Sequence, residues 1–469
     1  MNIHHLSAKQ VQQRLQEGSL ASDEVKKHLL QRISQFDDEL GAFIYQDASV
    51  SSTSASLLAG LPISFKDQFH IKDRPCTFGL NQVTDSDVTA PIVEKLIDQG
   101  ASVLGKTSLP PLAMDFQTSN RIRGFCKNPW NNEYTTGGSS GGGAAAVASG
   151  LSFVDIGTDL SGSLRIPASF CGVFSLLPSE GALCSEGLLM DPNLSLSHFA
   201  RPGPIAREPK DLGLLWEALS SNRKAEIPKK IKLAYWQQAD DLPLDDNIKD
   251  LMTQAIERWS TAGHKTEYAK PRAFDFREAW KTFGYIMGYE TSGLMNPFIR
   301  WVSLLTGRAS RKRSPVFLDN VMAGYRRNTR DYSLALEKRE KLIEDCQPFF
   351  TQFDAWIMPV TCCRAFKHIT PSSEHGPTRD YKTPLNINGL EINYFDALTA
   401  FTTPISLIGH PVVTMPIGLD ENGLPVGVQL VGKMNGESEL LLIAEELSKS
   451  MSQPAYPMPE SSTPIDNLT

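Results

Sequence analysis

Ser139 and Ser140 stand in the run GGSSGG, Gly137 to Gly142, and Ser161 and Ser163 stand in GTDLSGS, Gly157 to Ser163. Hydroxyls on glycine-rich backbone can be approached closely by another group, and the chemistry open to them is nucleophilic attack. A serine hydroxyl is a weak nucleophile near neutral pH and needs a base within hydrogen-bond reach. Histidine is the usual base, yet none of the nine histidines lies between Thr135 and Glu180. Lysine can take the role where a dry, crowded site lowers its pKa until it is neutral. A phosphate cradle is excluded, because the Lys and Ser or Thr of G-x-x-x-x-G-K-[ST] are missing. A glycine and serine run is by default a linker. The buried-strand pattern and the second serine loop beside it argue against that reading here.

The two loops flank one helix and strand unit. Five of the nine residues from Gly137 to Ala145 are glycine, and the Ala-rich run Ala144 to Ala148 has helix propensity, so the first loop feeds a helix N-terminus. Phe153 to Ile156 reads as a short buried strand from which the second loop leaves. Upstream, the segment from Leu61 shortens to strand length and ends on Lys66 and Asp67. Ala90 to Gly100 reads as a helix stopped by its glycine, and ASVLGKT as the next strand. This alternation predicts an α/β core. Ser7 and Ser22 each precede an amphipathic pattern and read as helix caps of an N-terminal pair. Near the other end, TTPISLIGHPVVTMPIG (Thr402 to Gly418) and GLPVGVQLVG (Gly423 to Gly432) read as paired strands, and Glu437 to Lys449 as a closing amphipathic helix. The Pro and Ser rich tail from Pro454 reads as disordered.

A hydrophobic content of 41% with 21% charged residues suits a globular enzyme. A net charge of −7 argues against a general nucleic-acid binder. No secretory signal opens the chain and no apolar run reaches transmembrane length, so the cytoplasm is the expected compartment. The seven cysteines, at 76, 126, 171, 184, 346, 362 and 363, include no CxxC pair and suit neither a zinc site nor a disulfide framework. Cys171 and the vicinal Cys362 and Cys363 read as packed residues, and His198 and His410 as structural histidines. The run Phe274 to Phe298 has helical spacing; core packing is its default, and a wall of an apolar acyl pocket is the sharper reading. The basic residues Arg308, Arg311, Lys312, Arg313, Arg326, Arg327 and Arg330 read as a solvated surface, with an anionic group or a partner as the alternative.

Three blocks in order carry a resemblance. LPISFKDQF (Leu61 to Phe69) resembles G-[VI]-P-[IV]-x-x-K-D; GGSSGG is followed by an Ala-rich helix; and GTDLSGSLRIPASFCG (Gly157 to Gly172) resembles G-[ST]-D-x-G-G-S-[IL]-R-x-P-x-x-F-C-G. Together they resemble the amidase signature family of serine hydrolases. RPGPIAREPKDLGLLW (Arg201 to Trp216) and the two C-terminal blocks are similar to further segments of that family. The resemblance implies one domain over 1–469, an α/β fold with a mixed sheet covered on both faces by helices. Its family-like core spans about 55–220 and 395–450, and a variable region that sets substrate choice spans about 227–387.

The same resemblance implies an amidohydrolase. Lys66 matches the family's catalytic lysine, Ser139 the bridging serine whose peptide bond is cis, and Ser163 the nucleophile. Backbone N–H groups of Leu160, Ser161, Gly162 and Ser163 match the oxyanion hole, and Ser140, Asp159 and Arg165 match supporting positions, the last two pairing across the loop. No metal and no organic cofactor are implied. The expected partner is a small-molecule amide, with no nucleic acid and no membrane segment, and a homodimer is the oligomer to expect. Two departures stand out. Ser161 replaces the first glycine of G-G-S, where a serine tolerates positive φ less well, and Gly143 replaces a common serine, a change expected to be harmless. Two other readings remain open. One is a component of an amidotransferase of the glutamyl-tRNA amidotransferase kind, making ammonia for a partner; the other is a non-catalytic binding protein on this scaffold.

Overall fold

Short apolar and β-branched runs pair across long stretches of chain to build one sheet. The computed structural model describes residues 2–49, 56–82, 84–220, 225–239, 241–307, 312–372, 379–452 and 454–459. Its main sheet has eleven strands: β1 (Phe43–Gln46), β2 (Pro62–Lys66), β3 (Ser102–Thr107), β4 (Val154–Asp159), β5 (Phe174–Leu177), β6 (Arg201–Ala206), β7 (Lys232–Tyr235), β8 (Lys265–Tyr268), β9 (Ala355–Pro359), β10 (Val412–Leu419) and β11 (Pro425–Val431). The order across the sheet is β1-β3-β2-β4-β6-β5-β10-β11-β9-β7-β8. β2 runs parallel to β3 and β4, β7 runs parallel to β8 and β9, and the other neighbours are antiparallel. This is the expected mixed α/β sheet, and helices flank it. The segment 227–387 is not set apart from it, since it supplies β7, β8 and β9.

β2 and β4 are buried along their whole length, although they carry Ser64, Lys66, Asp155, Thr158 and Asp159. Buried polar groups must find partners inside the protein, and these strands are where the site is assembled. β4 also runs further than the sequence pattern indicates, through Gly157, Thr158 and Asp159. The reason is β6, which pairs with it residue for residue from Val154↔Ala206 to Asp159↔Arg201.

Two helices complete the setting: α1 (Gly141–Ala148), which follows GGSSGG, and α2 (Arg165–Cys171), which follows Ser163. The N-terminal pair is present as Ala8–Gln16 and Ser22–Leu40. Ser7 caps the first through Gln10, but the second starts from Ala21, and the Ser22 hydroxyl instead donates to the Gly60 carbonyl at 2.7 Å. A larger correction falls on TTPISLI. It forms a helix, α3 (Thr402–Ile408), closed by Gly409, and only VVTMPIGL pairs with β11. A short apolar run fits strand or helix equally well by periodicity. Pro404 decides the matter: it sits in the first helical turn, where no backbone donor is needed. The tail is not disordered where it is described. The Tyr456 hydroxyl donates to the Arg207 carbonyl at 2.9 Å, and Arg32 reaches the Pro459 carbonyl. Residues 460–469 lie outside the described residues.

Candidate active site

The parallel pairing of β2 with β4 sets Lys66 beside Thr158, and the loop before α1 sets Ser139 beside Lys66. Lys66 Nζ lies 2.6 Å from Ser139 Oγ and 3.0 Å from Thr158 Oγ1, with the lysine fully buried. The Gly138–Ser139 peptide is cis. Burial lowers the Lys66 pKa from 10.5 to about 7, against the raising pull of the Asp159 and Asp155 carboxylates.

The direction of the protons is fixed by neighbours. Gln68 Nε2 donates to the Leu188 carbonyl at 2.9 Å, so its carbonyl oxygen faces Thr158, whose hydroxyl donates to it at 2.7 Å. Thr158 has then given away its one proton and can only accept from Lys66. A neutral Lys66 amine donates to Thr158 and keeps its lone pair for the hydroxyl proton of Ser139. Sequence reading left Thr158 and Gln68 unassigned, although both lie inside the quoted blocks.

Ser163 and Ser139 line one cavity of about 400 Å³. The Ser163 hydroxyl has no hydrogen bond among the described residues. Its carbonyl accepts from the Ser140 N–H at 3.1 Å, and the Ser140 hydroxyl donates to the Thr158 carbonyl at 3.1 Å, so Ser140 ties the two serine loops together.

The four expected oxyanion donors are reduced to three. The Gly162 N–H is committed to Asp159 Oδ1 at 2.8 Å, which leaves those of Leu160, Ser161 and Ser163. Gly162 itself adopts φ 131°, and a Cβ there would lie 3.0 Å or less from Ile166 and Thr402, so the position needs glycine. The concern over Ser161 is removed, since its φ is not positive and the left-handed demand falls on Gly162.

Asp159 and Arg165 form a buried pair, Nη2 to Oδ1 at 2.9 Å and Nε to Oδ2 at 3.0 Å. Burial raises the Asp159 carboxyl, but the Arg165 guanidinium and the Leu164 N–H outweigh it and hold it at about 2. The remaining Arg165 donors reach the Thr402 carbonyl, Gln429 Oε1 and Ser406 Oγ, at 2.8, 2.8 and 2.6 Å. The loop carrying Ser163 is thereby fastened to α3 and β11.

Gly143, expected to be a harmless departure, also has a structural consequence. A Cβ at Gly143 would stand 1.9 Å from Asp155 Oδ2, and that oxygen has no hydrogen-bond partner among the described residues. Asp155 Oδ1 accepts from Ser64 at 2.7 Å and Thr107 at 3.0 Å, while burial pushes the carboxyl up to about 7. The missing side chain at 143 makes room for the carboxyl at 155.

The segment 227–387 supplies one wall of the cavity through Met287, Thr291, Met295 and Val321, and helix Phe276–Gly293 also turns Trp280 and Phe283 into the core. His198 bonds to Glu290, and His410 to the Gly432 carbonyl, where burial lowers it to about 4; neither lines the cavity. Cys171, Cys362 and Cys363 are buried free thiols. Of the basic residues, Arg313 pairs with Asp380 and Arg327 bonds to the Tyr289 carbonyl, Lys312, Arg326 and Arg330 are exposed, and Arg308 and Arg311 lie outside the described residues. Among the described residues no cluster of three His, Cys, Asp or Glu could hold a metal ion, and no helix is long and apolar enough to cross a membrane.

A family model described as Amidase matches residues 27–441. The A subunit of the glutamyl-tRNA(Gln) amidotransferase of Nostoc sp. is 28% identical, covering 95% of this chain and 98% of its own length. Among solved structures, the corresponding glutamyl-tRNA(Gln) amidotransferase protein of Thermotoga maritima superposes with a TM-score of 0.78 at 24% identity, covering 98% of this chain and 99% of that one. A bacterial aryl acylamidase of the amidase signature family superposes with a TM-score of 0.78 at 22% identity, covering 96% and 97%. These structural likenesses speak for the fold.

Proposed function

The chain belongs to the amidase family, and from that premise we propose that it is a serine amidohydrolase, converting a carboxamide to a carboxylate and ammonia or an amine. Ser163 attacks the carbonyl carbon while its proton passes to Ser139, which gives its own to neutral Lys66. Charge developing on the carbonyl oxygen meets the N–H groups of Leu160, Ser161 and Ser163. As the carbon–nitrogen bond breaks, the proton held by Lys66 returns through Ser139 to the leaving nitrogen. Water then attacks the acyl-enzyme by the same relay in reverse. The reaction needs no metal and no organic cofactor.

The observation that carries this reading is the 2.6 Å contact between Lys66 and Ser139, made by a buried lysine whose other partner can only accept. A lysine so placed is a base near neutral pH. The test is labelling with a fluorophosphonate probe, read by intact mass and peptide mapping. One adduct on Ser163, weakened in Ser139→Ala and Lys66→Ala and absent in Ser163→Ala, is expected. A well-folded wild type that takes no label sinks the relay.

A second reading has the chain serve as the ammonia-producing component of an amidotransferase, and it is favoured by the likeness to the Nostoc protein over almost the whole chain. The two separate on the protein purified alone. A free-standing amidohydrolase hydrolyses amides without a companion, whereas an amidotransferase component is weak or glutamine-selective until one is added.

A further inference from the structure

The cavity beside Ser163 is unequal at its two ends. Hydroxyl and amide groups from Ser139, Ser163, Thr158 and Gln68 gather at one end, and the other walls are mostly aliphatic, thioether and aromatic, among them Met114, Leu188, Met287, Phe317 and Val321, with the hydroxyls of Thr291 and Tyr325 bonded to each other. The apolar lining continues to the outside, where Met190, Leu194 and Leu294 are exposed at the mouth. No Lys, Arg or His stands among the described residues that line it. The acids that do are Asp115, Asp159 and Asp191. Asp159 is held by Arg165, and Asp115 accepts from Tyr381 at 2.5 Å, Tyr394 at 2.8 Å and Arg379 at 3.3 Å, so both carboxylates are committed within the protein. Asp191 is exposed at the mouth.

From this asymmetry we infer the substrate class, resting on the amidohydrolase reading for the identity of the bond that is cut. The amide group enters the polar end, and the acyl group is large, apolar and uncharged. A pocket of this volume can bury most of a small organic molecule. Each methylene it takes from water strengthens binding by up to about fourfold. A terminal carboxylate in the same place would meet committed acids and no cation, and an ionised group left without a partner in apolar surroundings is strongly disfavoured. Glutamine, which carries its carboxylate a few bonds from its amide, fits this cavity poorly.

The test pairs binding with turnover. Ser163→Ala is titrated calorimetrically with acetamide, hexanamide, octanamide, glutamine and suberamate, the last having the length of octanamide with a carboxylate at its far end. The wild type is assayed for ammonia release from the same five. Affinity and kcat/KM are expected to rise from acetamide to octanamide, with suberamate and glutamine weaker than octanamide by on the order of 100-fold. Suberamate or glutamine bound as tightly as octanamide overturns the inference. Octanamide that binds selectively but is not cut leaves the pocket assignment standing and removes the amidohydrolase reading. Glutamine or suberamate cut faster than octanamide removes the substrate class and leaves the reaction. As a second variant, Met295→Arg, at a half-buried wall position, is expected to move selectivity toward suberamate by at least about tenfold; unchanged selectivity overturns the placement of the acyl group against that wall.

Discussion

Lys66 is buried with hydroxyl partners and no salt bridge among the described residues, so keeping it in the fold has a free-energy cost that varies with pH. Burial lowers its pKa from 10.5 to about 7. Between those values the unfolded chain binds a proton that the folded protein does not, so stability rises with pH across that window. Below about pH 7 both states are protonated and the cost is constant. At 1.36 kcal/mol per pH unit, the gap amounts to roughly 5 kcal/mol at its lower end. Lys66→Met keeps the apolar stem and removes the ionisable group, at the loss of the hydrogen bonds to Ser139 and Thr158, about 1 kcal/mol each. The variant should therefore lose activity and yet be more stable than the wild type by about 2 kcal/mol at pH 7, by about 1 kcal/mol at pH 8, and by nothing near pH 9. Equilibrium urea denaturation followed by tryptophan fluorescence at the three pH values reads this directly. A stability difference that stays constant across them would mean that Lys66 carries the same charge folded and unfolded, and the relay would lose its base.

Three other outcomes follow from the same geometry. In the proposed relay neutral Lys66 is the working form, so kcat/KM for an amide should fall tenfold per pH unit below about pH 7 and level off above it, and a flat profile between pH 6 and 8 would count against Lys66 as base. Gly143→Ser should destabilise the protein by about 2–3 kcal/mol through overpacking against Asp155, and adding Asp155→Ala should recover most of it; a double variant no better than the single would refute the shared space. Arg165→Lys should cost about 3 kcal/mol by leaving Asp159 and the α3 carbonyl under-bonded, and should slow fluorophosphonate labelling of Ser163; denaturation and labelling curves matching the wild type would show that the guanidinium does not brace the loop.

What the chain reveals by itself is local. GGSSGG announces its helix because glycines and alanines sit next to each other, and LPISF announces a strand ending on Lys66. The pairing of Asp159 with Arg165 spans only six residues and was within reach of the sequence. Thr158 and Gln68 were in plain view as letters, but their task depends on β2 lying parallel to β4, an adjacency joined through 92 residues of chain between Lys66 and Thr158. The partners of Arg165 on α3 and β11 lie 237 to 264 residues away, beyond any local pattern. Gly143 is a related case. Read alone it is a small loop residue, and only the neighbouring strand shows what its missing side chain admits.

Two buried carboxyls raise the proton affinity of Lys66, and the fold holds them differently. Asp159, clamped by Arg165 at about 2, is charged throughout the range in which Lys66 titrates, so its effect on the lysine is constant there. Asp155, held by two hydroxyls and with one oxygen unbonded among the described residues, stands at about 7, in the same range as the lysine itself. When Asp155 takes a proton its raising pull on Lys66 vanishes, and when it loses one the pull returns. The steady field comes from the last residue of β4, next to the loop that carries Ser163, and the variable one from near the start of the same strand. That second carboxyl has its space because position 143 is glycine, so the basicity of Lys66 depends on a residue in α1 that does not line the cavity.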